Sequence, residues 1–391
     1  MKISRRVQGF TESVIREMTR VVSQVGGINL AQGMPDFPPP RELLEAAHRA
    51  LDQDFHQYAI TWGAPSLRQA VADKYRKLYR MELDPDLHVT VCCGSTETML
   101  STLLAVLDPG DQVVIFEPFY ENYGPGCIIS GAEPVFVPLE PPEFTFDPDR
   151  LAGAITPRTR AIVLNSPNNP SGKVFSRSEL ETVAALCLRH DLLAITDEIY
   201  EHIVYDGLAH TPIATLPGMA ERTITISGIS KSYSVTGWRV GWALAPPELS
   251  VGIRRAHDFV TVGAPHPLQE AAVAALALPD AYYVWLRQMY QAKRDLLAGY
   301  LESAGFVTYR PRGAYYILTD VAHFLTRYGI EDDAAFAMFL VKDVGVATVP
   351  GSSFYAHAGL GKTKIRFCFP KTDDMLRAAG ERLLALALGP R

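Results

Sequence analysis

The sequence predicts an α/β fold: a three-layer α/β/α large domain around a mostly parallel sheet, joined to a smaller α+β domain. Three observations predict it. Short β-rich apolar runs alternate with longer helical patterns through the middle of the chain. The runs are apolar almost without interruption, as strands covered on both faces are. After Pro246 the rhythm changes to a long helical stretch, then short strands mixed with helices.

The elements follow in order. His88–Cys92 (HVTVC) reads as a strand and Thr96–Leu107 as a helix. Gln112–Phe116 is the next strand, entered through the turn Asp108-Pro109-Gly110-Asp111. Glu133–Val137 and Ala161–Leu164 continue the sheet, Ser176–Arg189 is a helix, and Leu192–Thr196, Thr223–Ile226 and Val240–Leu244 are further strands. Beyond them come a helix over Ala281–Ala304, a strand at Gly313–Thr319 and a helix near Asp332–Lys342. Strands at Val344–Val349 and Lys364–Phe369 and a helix from Asp373 complete the chain. Residues 1–45 are expected to be an arm that packs on the smaller domain or on a partner. Residues 46–280 would form the large domain and 281–391 the small one.

Composition narrows the function. At 48% hydrophobic and 20% charged, the 391 residues match a soluble globular protein. A net charge of -6 and a pI near 6.0 give no electrostatic footprint for nucleic acid. The five cysteines are odd in number and form no CxxC pair, which argues against a disulfide framework or a zinc site and suits a reducing cytoplasm. Cys92 and Cys93 read as thiols of the interior, so no metal is expected. The N-terminal stretch has no apolar core of the secretory kind, and no run is long enough to span a membrane.

In a parallel sheet the ligand lies beyond the carboxyl ends of the strands. Three polar features stand there. Asp197 ends LLAIT; a carboxylate in that place either caps a helix or serves a site. NSPNNPSG follows AIVL and specifies a rigid loop. Lys231, in SGISKSYSVTGWRVGW, follows TITI, with Arg239 eight residues on. Alone, such a lysine would be an ordinary surface residue. Three polar elements at the ends of three apolar strands are more specific.

Together with their order and spacing, these segments resemble the class I/II aminotransferases, pyridoxal-phosphate enzymes of fold type I. The resemblance runs over nearly the whole chain: NLAQGMPDFPPP (Asn29–Pro40), HQYAITWGAPSLR, DPGDQVVIFEPFYENY, NSPNNPSG, DEIYEH, SKSYSVTGWRVGW, PRGAYY and IRFCF. It implies that Lys231 holds the cofactor as a Schiff base and serves as general acid/base. Asp197 would pair with the pyridine nitrogen, and Asn169 and Tyr200 with the ring hydroxyl. Tyr120 would stack on the ring, and Tyr123 would lie near the substrate. For the phosphate the resemblance implies Arg239, the helix start Gly94-Ser95-Thr96, and a hydroxyl from Ser230 or Ser227. Tyr58 is similar to a tyrosine that reaches the phosphate of the neighbouring subunit, which implies a homodimer with shared sites. Arg366, in KIRFCF, would grip the substrate α-carboxylate, with the backbone of Gly33 beside it.

The implied reaction is ping-pong transfer of an amino group from an L-amino acid to a 2-oxo acid. The resemblance splits between bacterial aspartate aminotransferases and a branch holding kynurenine, glutamine, methionine and succinyldiaminopimelate enzymes. QGMPDF, EPFYENY and IRFCF are similar to the second. The first commonly carries a lysine in the strand–helix loop; here the loop is CCGSTET and Thr96 takes that place. A second carboxylate buried without a cation is costly, so the expected donor is neutral, aromatic or sulfur-containing. A dicarboxylate donor and C–S β-lyase chemistry are the alternatives.

Overall fold

The computed structural model describes residues 3–10, 12–357 and 359–388. In chain order the strands are β1 (Ile28–Asn29), β2 (Val89–Cys92), β3 (Gln112–Glu117), β4 (Glu133–Pro138), β5 (Thr159–Asn165), β6 (Leu193–Asp197) and β7 (Thr223–Gly228). After these come β8 (Gly241–Leu244), β9 (Val307–Tyr309), β10 (Tyr316–Asp320), β11 (Val346–Ala347), β12 (Val349–Pro350) and β13 (Lys364–Cys368).

Seven strands form the central sheet in the order β2-β8-β7-β6-β5-β3-β4. The sheet is mostly parallel, and β8 runs antiparallel to both β2 and β7. Alternate residues of a strand feed opposite cores. Val114 and Phe116 pack with Leu164, Phe175 and the helix Arg177–His190. Val113 and Ile115 pack on the other side with Met99, Leu103 and Cys127. Each such side chain contributes on the order of 1.5–3 kcal/mol by leaving water. That two-sided burial is why the strands read as unbroken apolar runs.

A four-stranded antiparallel sheet, β12-β13-β10-β9, packs with the 25-residue helix Asp280–Ala304. Met18, Val22, Leu30 and Ala31, near the N-terminus, are buried in the same core. Nearby, β1 pairs in parallel with β11.

Several elements depart from the sequence reading; the strand expected from Gly313 begins at Tyr316, and the helix expected near Asp332–Lys342 runs over Asp333–Phe339. The helix expected from Thr96 begins at Gly94, where a positive φ of 79° turns the chain into it. The run Val344–Val349 is not one strand. Residues Val346 and Ala347 pair with Ile28 and Asn29, whereas Val349 and Pro350 pair with Arg366 and Ile365. Val346 to Pro350 are all buried, so apolarity alone gave no sign of the change of partner at Thr348.

The sheet register brings the polar strand ends together. Asn165, the last residue of β5, sits opposite Asp197, the last of β6. Beyond β7 the chain turns through Ile229 and Ser230 to Lys231.

Candidate active site

These strand ends open into a cleft of about 420 Å³, closed on the far side by β10 and the segment Gln32–Met34. Lys231, Asp197, Asn169, Tyr200, Tyr120 and Arg239 all line it. The Lys231 amine is pulled down to about 8, first by burial and then by the Arg239 and Arg366 guanidinium groups, with Asp197 opposing them. An amine so placed is more often free of its proton than an ordinary lysine, as attack on an aldehyde requires.

Asp197 is buried, and no helix begins at it. Its Oδ2 accepts the Tyr123 hydroxyl at 2.7 Å, and its Oδ1 accepts the Ile199 N–H at 3.3 Å. Burial pushes its pKa up, against the pull of those two bonds and of Lys231. The carboxylate is thus fixed in direction and still faces the cleft. Asn165 supports the neighbouring loop: its amide donates to the Asp197 carbonyl at 2.9 Å, and its Oδ1 accepts the Asn169 N–H at 2.8 Å.

Arg366 lies on β13 with no exposed surface. Nη1 donates to Asn169 Oδ1 at 2.9 Å, and Nη2 donates to the Ala31 carbonyl. The guanidinium lies 4.3 Å from the Tyr316 ring centroid and 4.8 Å from that of Phe354. Its Nε has no partner among the described residues. A buried donor left open is costly, so this one is suited to a ligand oxygen. Tyr316 also meets Tyr200, hydroxyl to hydroxyl, at 3.0 Å. Gly33 completes this wall: a Cβ there would stand 2.1 Å from the Tyr316 hydroxyl, and the Gly33 carbonyl accepts the Tyr315 hydroxyl at 2.8 Å.

At the other end, Arg239 donates to the carbonyls of Thr236 (3.0 Å) and Cys93 (3.3 Å). Its guanidinium packs flat on Gly94, where a Cβ would stand 2.4 Å from Nη2. Ser95 and Thr96 open the 13-residue helix beside it, so free backbone N–H groups and a fork of donors converge. Ser230 lines the cleft. Ser227 does not: its hydroxyl is bonded to Glu201 at 2.9 Å.

Tyr123, expected near the substrate, lines the cleft, and its hydroxyl donates to Asp197. Tyr58 is 82% exposed and does not line the cleft of its own chain. Sequence reasoning assigned no role to Asn165, Tyr316 or Phe354. It also missed Arg16, which reaches the cleft from the helix Val14–Val25. PRGAYY marked Tyr316; Arg16 carries no local signal, because its helix is remote in sequence from the strand ends.

The family described as "Aminotransferase class I and II" matches residues 25–383. The human protein named kynurenine–oxoglutarate transaminase 1 is 38% identical over 409 residues, 97% of each chain. A solved structure of N-succinyldiaminopimelate aminotransferase from Mycobacterium tuberculosis superposes with a TM-score of 0.94 at 39% identity, covering 99% of this chain and 100% of that one. YbdL from Escherichia coli, whose structure was reported with a methionine aminotransferase function, gives 0.93 at 33% identity, covering 99% and 100%. The chain belongs to the class I and II aminotransferases and has their type I fold. It is a transaminase that uses pyridoxal phosphate and acts on amino acids and 2-oxo acids. No helix among the described residues is long and apolar enough to cross a membrane.

Proposed function

We propose that Lys231 holds the pyridoxal phosphate and shuttles the substrate proton, in a ping-pong transfer from a neutral, aromatic or sulfur-containing L-amino acid to a 2-oxo acid. One observation carries the reading: a lysine of lowered basicity stands in one cleft with the buried Asp197, and Arg366, whose Nε has no partner among the described residues, sits behind the cleft residues Asn169 and Tyr316. When bound, pyridoxal phosphate supplies the electron sink for the charge left as the α-proton departs. Asp197, aligned by Tyr123, holds the proton on the pyridine nitrogen. Asn169 and Tyr200 steady the ring hydroxyl, and Tyr120 covers the ring face. Gly94, Ser95, Thr96, Ser230 and Arg239 hold the phosphate. Arg366 takes the α-carboxylate beside Gly33, and the freed Lys231 amine moves the proton.

The donor class rests on the outer lining. Ile15, Met34, Tyr120 and the uncharged Thr96 line the cleft. A dicarboxylate is the second reading, because Arg16 also lines it and could answer a distal carboxylate. The exposed Tyr58 is free to reach a neighbouring subunit, which supports a homodimer with shared sites; the five free cysteines suit the cytoplasm. A panel of donors, each followed through the absorbance change of the cofactor and paired with several 2-oxo acids, tests the assignment. Fastest turnover with neutral or aromatic donors is expected. A clear preference for aspartate would move the reading to Arg16, and release of ammonia in place of amino transfer would move it to β-lyase chemistry.

A further inference from the structure

Glu97 is the acidic residue in the first turn of the helix that opens at Gly94. Its Oε2 accepts the Cys93 N–H at 2.9 Å, and its Oε1 accepts the Ser101 hydroxyl. Both oxygens lie 3.0 Å from Nδ1 of His257. His257 has no exposed surface and sits on the helix Pro247–Val260. Its Nε2 meets the Thr61 carbonyl at 3.0 Å, and the Thr261 hydroxyl lies 3.2 Å from Nδ1. The imidazole therefore ties three separate stretches of chain together: the loop at Thr61, the helix start at Gly94 and its own helix.

That tie ends on the phosphate cradle. Glu97 holds the N–H of Cys93, and Arg239 holds the carbonyl of the same residue. The backbone entering Gly94 is thus gripped from both sides. Gly94 itself is boxed in, since a Cβ on Gly241 would stand 2.8 Å from the Gly94 carbonyl carbon and from the Ser95 nitrogen. A carboxylate at the start of a helix would ordinarily compete with an anion for the same N–H groups. Here the Glu97 oxygens are spent on Cys93, Ser101 and His257, which leaves the N–H groups of Ser95 and Thr96 to a ligand.

We propose that His257 and Glu97 act as one positioning unit that sets the phosphate-binding helix start, so that they select the phosphorylated cofactor without touching it. The inference rests on the reading that the phosphate sits at Gly94–Thr96 and Arg239. Cys92 Sγ also lies within 4.8 Å of the ligand atoms of this pair, the spacing of a metal triad. The pair's donors and acceptors answer each other, so a metal is not needed to explain it.

The test compares two probes on the cofactor-free protein in phosphate-free buffer: pyridoxal phosphate, and pyridoxal, which lacks the phosphate. His257→Gln and Glu97→Gln should each weaken pyridoxal phosphate by about tenfold to a hundredfold, the cost of disturbing a charge-assisted contact. Affinity for pyridoxal should change less than about threefold, within what one lost surface contact does. The double variant should cost no more than the larger single one, because the pair acts as a unit. Ser101→Ala, a milder change, should shift the ³¹P resonance of the bound cofactor even where affinity hardly moves. Equal losses for both probes, or additive costs, would overturn the inference. So would a pyridoxal phosphate affinity that a chelator abolishes. Arg239→Ala is the control for the underlying reading: it should erase the preference for the phosphorylated probe. If it does not, the phosphate site itself is misplaced. If it does while His257 and Glu97 leave the preference intact, only the positioning role fails.

Discussion

Replacing Arg366 by alanine should raise KM for every amino acid and every 2-oxo acid by a common factor. The α-carboxylate is the one group all these substrates share, and the proposed function assigns it to Arg366, whose Nε has no partner among the described residues. The guanidinium is already oriented by Asn169, by the Ala31 carbonyl and by the rings of Tyr316 and Phe354. Little orientational freedom is left to lose on binding, so most of the interaction should appear as affinity. A hydrogen bond to a charged group contributes about 1.5–3 kcal/mol. At about 1.4 kcal/mol per factor of ten, that is roughly a tenfold to hundredfold rise in KM. Arg366→Lys keeps the charge but loses the fork and the stacking, and should recover only part of the loss. Steady-state rates over a panel of side chains give the ratio of variant to wild type for each substrate. Ratios that are uniform and above ten support the reasoning. A KM within threefold of wild type, or ratios that scatter with the side chain, would refute it and turn Arg366 into a residue of the distal pocket.

Other outcomes follow from the same geometry. Lys231→Ala should abolish turnover while the circular dichroism spectrum and non-covalent cofactor uptake survive. In the cofactor-free protein, the reactivity of Lys231 toward an amine reagent should rise with pH through an inflection near 8, because the amine is protonated below that point and free above it; an inflection near the ordinary lysine value would refute the combined effect of burial, Arg239 and Arg366. Tyr123→Phe removes one of two bonds that hold Asp197 as a carboxylate, so it should lower kcat by about threefold to thirtyfold with little change in KM, measured by stopped-flow half-reactions. Gly33→Ala forces the Tyr316 hydroxyl out of place and should cost at least about tenfold in kcat/KM, while Gly153→Ala, with open space around it, should be silent.

The central sheet was legible because its strands are buried on both faces. Ile162 and Leu164 face one core, Ala161 and Val163 the other, and the run AIVL records both at once. The antiparallel course of β8 was not legible, since VGWAL has the same composition whichever way it runs. Lys231, Asp197 and Asn169 could be singled out because polar elements follow the ends of three such runs and match one family's motifs in order and spacing. Asn165 could not, as its role lies in the backbone groups it holds rather than in its position. The bond from Tyr123 to Asp197 was not legible, because sequence gives a helix start but not which way its first side chain points. Val344–Val349 was read as one strand because two sheets supplied equal burial to its two halves.

The central claim is that the cofactor is carried by Lys231. Borohydride reduction of the cofactor-loaded protein, followed by peptide mapping by mass spectrometry, tests it most directly. The phosphopyridoxyl group should be found on the peptide containing Lys231 and be lost from it in Lys231→Ala. Its recovery on another lysine, or on none, would contradict the account.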